Sequence, residues 1–215
     1  MSIDHPPKLS ELMRPKTLDD LMLPRQTIES LKHLSETSRL QHMIFYGTNG
    51  VGKTSAARIL TAREDMQLAA KEFIDYKSEK KFIDDMRYFL SMNTLYDHYK
   101  ICVLNEADMM SKMQQTSIST FVEKFEDSCR FILTTNNLMN LSPALRSRFM
   151  PICFDLLPSE YDTITQRLFE RYNVALQQHR YDFSEKRLRE LIQTYMPDMR
   201  AIANRIDFEF KQLPA

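Results

Sequence analysis

Gly47-Thr48-Asn49-Gly50-Val51-Gly52-Lys53-Thr54 decides the fold. It fits G-x-x-x-x-G-K-[ST] at every fixed position. Ahead of it, Met43-Ile44-Phe45-Tyr46 is apolar and partly aromatic, as a buried strand requires. Behind it, Ser55-Ala56-Ala57-Arg58-Ile59-Leu60 reads as helix. Strand, glycine loop and helix in that order make a phosphate-binding loop. Such a loop turns successive backbone N–H groups onto an anion, and the helix N-terminus adds its dipole. Lys53 is then placed for β- and γ-phosphates, and the hydroxyl of Thr54 for Mg²⁺. The chain has three glycines, and all of them lie in this loop.

Composition bounds what surrounds the loop. The 215 residues allow one large domain or a domain with a small companion. Lys+Arg and Asp+Glu are both 29, which argues against coating nucleic acid by bulk charge but leaves room for a local basic strip. The cysteines, Cys102, Cys129 and Cys153, have no CxxC spacing, so core packing is expected rather than zinc or a disulfide framework. No apolar run is long enough to span a bilayer and no signal core opens the chain, so a reducing, cytoplasmic compartment is expected.

Along the chain, residues 1–10 are polar, contain Pro6-Pro7 and are expected to form a loose arm. Pro15 prevents a continuous helix through Leu9–Leu23, and Thr17 is placed to cap a short turn. Gln26–Leu40 carries a helical apolar face. After the loop helix, strands are expected at Lys71–Tyr76, Lys100–Leu104, Arg130–Thr135 and Pro151–Phe154. Helices are expected at Ser78–Leu95, Ser111–Phe125 and Ser142–Arg148. This alternation implies an α/β fold with a parallel sheet flanked by helices. Past Pro158 the pattern turns helical, with Ser159–Gln178, Ser184–Tyr195 and Met199–Phe210. The expected division is a nucleotide-binding core over 1–157 and a small three-helix lid over 158–215.

A phosphate loop needs an acidic site to hold Mg²⁺ and activate water, and Ile101-Cys102-Val103-Leu104-Asn105-Glu106 has the position and chemistry. Glu106 is the candidate base. Asn105 stands where an Asp is usual; its amide oxygen can accept from metal-bound water but carries no charge.

Several further segments, in order, resemble the AAA+ ATPases of sliding-clamp loaders, the replication factor C small subunits with their phage and bacterial counterparts. They are Arg14-Pro15-Lys16-Thr17-Leu18-Asp19-Asp20-Leu21, Asn105-Glu106-Ala107-Asp108, Thr134-Thr135-Asn136, Ser147-Arg148-Phe149 and Pro197-Asp198-Met199-Arg200. The resemblance spans about Leu9 to Phe210. It implies that Arg14 and Pro15 lie beside the adenine and that Asn136 orients the lytic water as sensor 1. It implies that Arg148 is an arginine finger for a neighbouring subunit's ATP, and that Arg200 reaches the γ-phosphate from the lid. The cofactors it implies are ATP and Mg²⁺. The partners it implies are other clamp-loader-like AAA+ subunits, the sliding clamp and primer-template DNA. Lys77, Lys80, Lys81, Arg87 and Lys112 are either duplex-backbone contacts or part of a solvated mixed-charge helix.

The chain departs from the family pattern at Asn105, at Ser119-Thr120 where relatives often carry an Arg pair, and at Phe149 in place of Cys. It ends soon after the third lid helix, so a module without the C-terminal helical collar is expected, its brevity pointing to a phage or other mobile element. Two other readings compete: a weakly catalytic, nucleotide-gated scaffold or inhibitory module, and a helicase-loader or transposition-type regulator.

Overall fold

The computed structural model describes residues 8–36, 40–62, 70–73, 76, 78–92 and 100–212. The core elements run α1 (Leu9–Leu12), α2 (Arg25–Glu36), β1 (Met43–Tyr46), α3 (Lys53–Thr61), β2 (Ala70–Phe73), α4 (Glu79–Ser91), β3 (Lys100–Leu104), α5 (Lys112–Lys124), β4 (Cys129–Thr135), α6 (Pro143–Arg146) and β5 (Met150–Cys153). Then come α7 (Tyr161–Gln178), β6 (Tyr181–Asp182), α8 (Glu185–Tyr195), α9 (Met199–Glu209) and β7 (Lys211–Gln212).

Five strands form one sheet in the order β2-β3-β4-β1-β5, and every pairing is parallel. Side chains alternate across it with period two. Met43, Phe45, Ile101, Val103 and Ile132 pack on one face, against α2 and α3 residues such as Leu31 and Leu60. Ile44, Cys102, Leu104, Phe131 and Leu133 pack on the other, against Phe82 and Met86 of α4 and Ile118 and Phe121 of α5. Both faces are covered, which is why β1, β3 and β4 are nearly continuous apolar runs. Full burial of a Phe, Leu or Ile side chain contributes roughly 1.5–3 kcal/mol, and Ile44, Phe45, Phe131 and Ile132 are all wholly buried.

Local chemistry sets the helix ends. Ser78, Ser111, Ser142, Ser184 and Asp198 each accept a backbone N–H at the start of α4, α5, α6, α8 and α9. Thr17 precedes a single 3₁₀ turn, Leu18–Asp20, and the Asp20 carboxylate accepts from the N–H groups of Lys16 and Thr17 at 2.9 Å each. α4 ends at Ser91 rather than Leu95; positions 93–99 lie outside the described residues. The expected strand at Lys71–Tyr76 is observed as Ala70–Phe73, with 74 and 75 outside the described residues.

Three helices after residue 158 pack around their own apolar cluster, including Leu168, Leu188, Ile192, Ile202 and Ile206. That cluster also takes in Leu9, which is fully buried, with Met13 and Met22 against it. This corrects the expected loose arm at its last two residues, Leu9 and Ser10. Leu9 and Ser10 open α1, which packs on α9, and the Ser10 N–H donates to Asp207 Oδ2 at 3.1 Å. The polar composition of the segment hid a single leucine that the lid helices bury; residues 1–7 lie outside the described residues.

Candidate functional site

The parallel sheet brings the carboxyl ends of its strands to one edge. Gly47 follows β1, Asn105 and Glu106 follow β3, Asn136 follows β4 and Asp155 follows β5. A cavity of ≈ 680 Å³ opens there between sheet edge, N-terminal segment and lid, a size suited to a nucleotide. Its wall includes Arg14 and Pro15, the loop from Asn49 through Gly50, Val51, Gly52, Lys53 and Thr54 to Ser55, then Glu106, Asn136 and Arg200. Met13, Met22, Ile59, Leu168 and Tyr172 supply an apolar end beside Arg14-Pro15.

Lys53 sits at the centre, 8% exposed. Its ammonium donates to Gly47 O and Thr48 O at 2.7 Å each and to Asn136 Oδ1 at 3.0 Å. Burial pushes its pKa below the usual lysine value, opposed by the charges of Asp155, Asp108 and Glu106, while Arg200 adds to the lowering. A buried ammonium whose hydrogen-bond partners are these neutral oxygens, facing a glycine cradle, fits a polyphosphate. Gly50 and Gly52 have φ of 77° and 97°, which glycine adopts without strain, and Gly52 precedes α3 directly.

The lid reaches the same loop. Asp198, which caps α9 through the Ala201 N–H at 2.9 Å, lies against Gly50, and the Met199 N–H donates to Gly50 O at 3.2 Å. Arg200, one residue on, is exposed and lines the cavity.

Glu106 has a left-handed backbone, φ 53° and ψ 47°, and its N–H donates to Thr134 Oγ1 at 3.1 Å. That sharp turn exposes the carboxylate at the cavity wall beside Asn136. Asn105 lies beneath the wall, 4% exposed. Its Oδ1 accepts from the Thr134 hydroxyl at 3.1 Å, and its carbonyl accepts from the buried Tyr76 hydroxyl. Among the described residues no group of three or more His, Cys, Asp or Glu converges as a metal cage. The Thr54 hydroxyl with an amide and a carboxylate behind it suits Mg²⁺ held chiefly by phosphates and water.

Gly47 and Thr48 form the outer turn of the loop and face Asp155 rather than the cavity. Arg148 lies away from the cavity, on the outer surface after α6. Its Nε donates to Glu123 Oε1 at 2.9 Å, a second donor reaches the same carboxylate, and Nη1 donates to Ala144 O. Arg146, its neighbour in the chain, points elsewhere and contacts Met139 Sδ at 2.8 Å. Sequence reasoning missed Asp155 and Glu123. The parallel pairing of β5 with β1 is what brings Asp155 to the loop, and Glu123 meets Arg148 across 25 residues; no local pattern marks either.

Residues 43–155 match the family described as ATPase family associated with various cellular activities (AAA). The chain is 32% identical over 179 residues to the probable replication factor C subunit 5 of Dictyostelium discoideum, covering 77% of this chain and 50% of that protein. It is 28% identical over 201 residues to replication factor C subunit 5 of Homo sapiens, covering 90% and 57%. The chain thus spans about half the length of the curated relatives it matches. Its fold is similar to that of a point variant of RuvB from Thermotoga maritima, with a TM-score of 0.66 at 21% identity over 91% of this chain and 64% of that one. With more than half of its length matched, the chain belongs to the ATPase family associated with various cellular activities.

Proposed function

We propose that this chain binds ATP with Mg²⁺ and hydrolyses it as one subunit of a clamp-loader-like AAA+ assembly, which loads a sliding clamp onto primer-template DNA. The observation that carries the reading is the convergence of Lys53, Thr54, Glu106, Asn136 and Arg200 on one cavity while Arg148 is held on the outer surface. The replication factor C relatives support the assembly and the substrate class. The core reaches to about residue 157, and the lid over 158–215 carries Arg200.

Lys53 holds the phosphates, and the loop N–H groups add fixed partial charges. Glu106 polarises the attacking water and Asn136 orients it. Thr54 would hold Mg²⁺ together with phosphate oxygens and water, and the ion would supply positive charge to the phosphates. Asn105, buried beneath the wall with its Oδ1 on the Thr134 hydroxyl, would support that site from behind. Arg200 ties the lid to the phosphates. Arg148 belongs to the neighbouring subunit's site, where a fixed guanidinium stabilises charge on the transferring phosphoryl group.

DNA contact falls to the neighbouring starts of α4 and α5, linked by the Ser111 hydroxyl and the Glu79 carboxylate. Lys80, Lys81 and Lys112 are exposed there, whereas Arg87 lies 3.9 Å from Asp84 and Lys77 is outside the described residues. Contact with duplex phosphates makes the affinity salt-dependent and indifferent to sequence. No helix among the described residues is long and apolar enough to cross a membrane.

ATP turnover, measured with and without primed DNA and the cognate clamp, tests the reading. Joint stimulation is expected. Lys53→Ala removes ATP binding. Arg148→Ala leaves the ATP Kd within about twofold but lowers stimulated turnover by about 10³-fold, the scale of a trans-acting arginine. Undiminished turnover in Arg148→Ala would refute the finger.

A further inference from the structure

Asp155 contacts the phosphate loop from the side opposite the cavity. β5 pairs with β1 in register, Ile152 beside Phe45 and Cys153 beside Tyr46. The ladder runs one bond further, with the Phe154 N–H donating to Tyr46 O at 2.8 Å. The next residue therefore comes level with Gly47. There Asp155 Oδ1 accepts from the Thr48 N–H at 2.6 Å, a short charge-assisted bond. Gly47 makes room for it. At φ 143°, a Cβ on Gly47 would stand 2.9 Å from Asp155 Oδ1 and 3.0 Å from its backbone nitrogen.

We propose that Asp155 is a positioning residue for the nucleotide, one that fixes the entry turn of the phosphate loop through the Thr48 N–H so that Gly50–Thr54 stay aimed at the phosphates. The role rests on the ATP-binding reading above. Inside the loop, the Lys53 ammonium ties down Gly47 O and Thr48 O. Lys53 is also the group that phosphates attract, so those two bonds are the ones given up on binding. The Asp155 bond lies on the outer side of the same turn and does not compete with the phosphates. It holds the loop in both states. Preorganisation of this kind acts on affinity by lowering the ordering cost at binding. Because it acts on the loop and not on the γ-phosphate, it serves ATP and ADP alike. Asp155 also has the leading charge that opposes the burial of Lys53. Bond and charge separate in the carboxamide variant, which keeps the acceptor and loses the charge.

The test has two readouts, on wild type, Asp155→Ala and Asp155→Asn. Amide exchange at Thr48, followed by NMR without nucleotide, reads the bond itself. Mant-ADP and mant-ATP titrations read its consequence. Asp155→Ala is expected to speed Thr48 exchange and to weaken both nucleotides by the same factor, about tenfold for one charge-assisted bond. Asp155→Asn is expected to restore Thr48 protection and most of the affinity. Three results overturn the assignment: Thr48 exchange unchanged in Asp155→Ala, nucleotide affinity unchanged in Asp155→Ala, or Asp155→Asn as weak as Asp155→Ala. A wild-type chain with a protected Thr48 amide that binds neither nucleotide overturns the ATP reading and the positioning role with it.

Discussion

His42 stands just before β1, with its ring between Phe131 and Phe149, and Nδ1 accepts the Phe131 N–H at 3.2 Å. That bond requires a neutral imidazole with its proton on Nε2. Burial, with the Arg130 charge as a second cause, lowers its pKa from an ordinary 6.5 to about 4. The unfolded chain therefore binds a proton between about pH 6.5 and pH 4 that the folded chain does not. The penalty is absent above pH 6.5, grows as pH falls through that window and levels off below pH 4. His42→Asn keeps an acceptor near the Nδ1 position without titrating. Thermal melts from pH 7 to pH 4.5 should show wild type losing about 1–2 kcal/mol more than His42→Asn, a figure already reduced for the partly exposed ring. Parallel melting curves for the two would remove His42 from the acid sensitivity. Asn105 illustrates a different residue-scale lesson. Its identity was readable as a departure from Asp, but its buried bond to the Thr134 hydroxyl was not, because the partner lies 29 positions away.

At the scale of elements, α4 depends on a strand for its C-terminal end. Lys100 opens β3 yet is only 6% exposed. Its ammonium donates to Leu90 O at 2.6 Å and Phe89 O at 3.1 Å, carbonyls that the end of a helix leaves without intrahelical partners. Lys100→Met keeps the aliphatic stem and removes those donors. It should cost about 1–3 kcal/mol in urea unfolding, the range for hydrogen bonds to a charged group, and speed amide exchange over 88–91. Wild-type stability in Lys100→Met would show that water satisfies these carbonyls equally well. The strand itself, Lys100 included, was legible as an apolar run, whereas the burial of the Lys100 ammonium against the end of α4 was not. The same division holds elsewhere. Central strands, helix faces and the serine caps follow from composition and period, because they are set by neighbours in the chain. Strand order, the burial of Leu9 and the Glu123–Arg148 pair follow from crossovers, which bring distant residues together without any local mark. For the candidate site, the loop and Glu106 were legible from the strand-loop-helix and strand-end patterns, while Asn136 and Arg200 were singled out by the family resemblance; all of them line the same cavity. Asp155 was not legible, since a carboxylate two residues after a short edge strand has no distinguishing pattern.

Across the molecule, among the described residues, lid and core meet in two places. Arg171 of α7 donates to Asp20 O and Met13 O, and Arg167 donates to Leu23 O at 3.2 Å, so the first contact grips the N-terminal segment. The second is the start of α9 on the phosphate loop, and Gly50 sets how closely it approaches. A Cβ on Gly50 would come 1.8 Å from Asp198 Oδ1 and 3.0 Å from Asp198 Cα. Side-chain rotation relieves the first clash at the expense of the α9 cap, while the second is a backbone contact that needs the start of α9 to draw back by a few tenths of an ångström. Gly50→Ala also places a side chain at φ 77°, a further cost of about 1–2 kcal/mol. The variant should thus keep its folded core, open the lid and lose nucleotide affinity by at least about tenfold, each 1.4 kcal/mol of displaced contact being one decade. Fluorophores on α8 and α2 would report the opening as a longer distance in the nucleotide-free chain. Asp198→Ala alone removes the α9 cap, about 1 kcal/mol, while leaving Gly50 free to approach. Added to Gly50→Ala, it removes the 1.8 Å clash and should recover part of the lid closure, so the two substitutions should be strongly non-additive. If Gly50→Ala leaves both the lid distance and the ADP Kd at wild-type values, the lid does not rest on the phosphate loop, and Arg200 must be placed by the Arg171 contact alone.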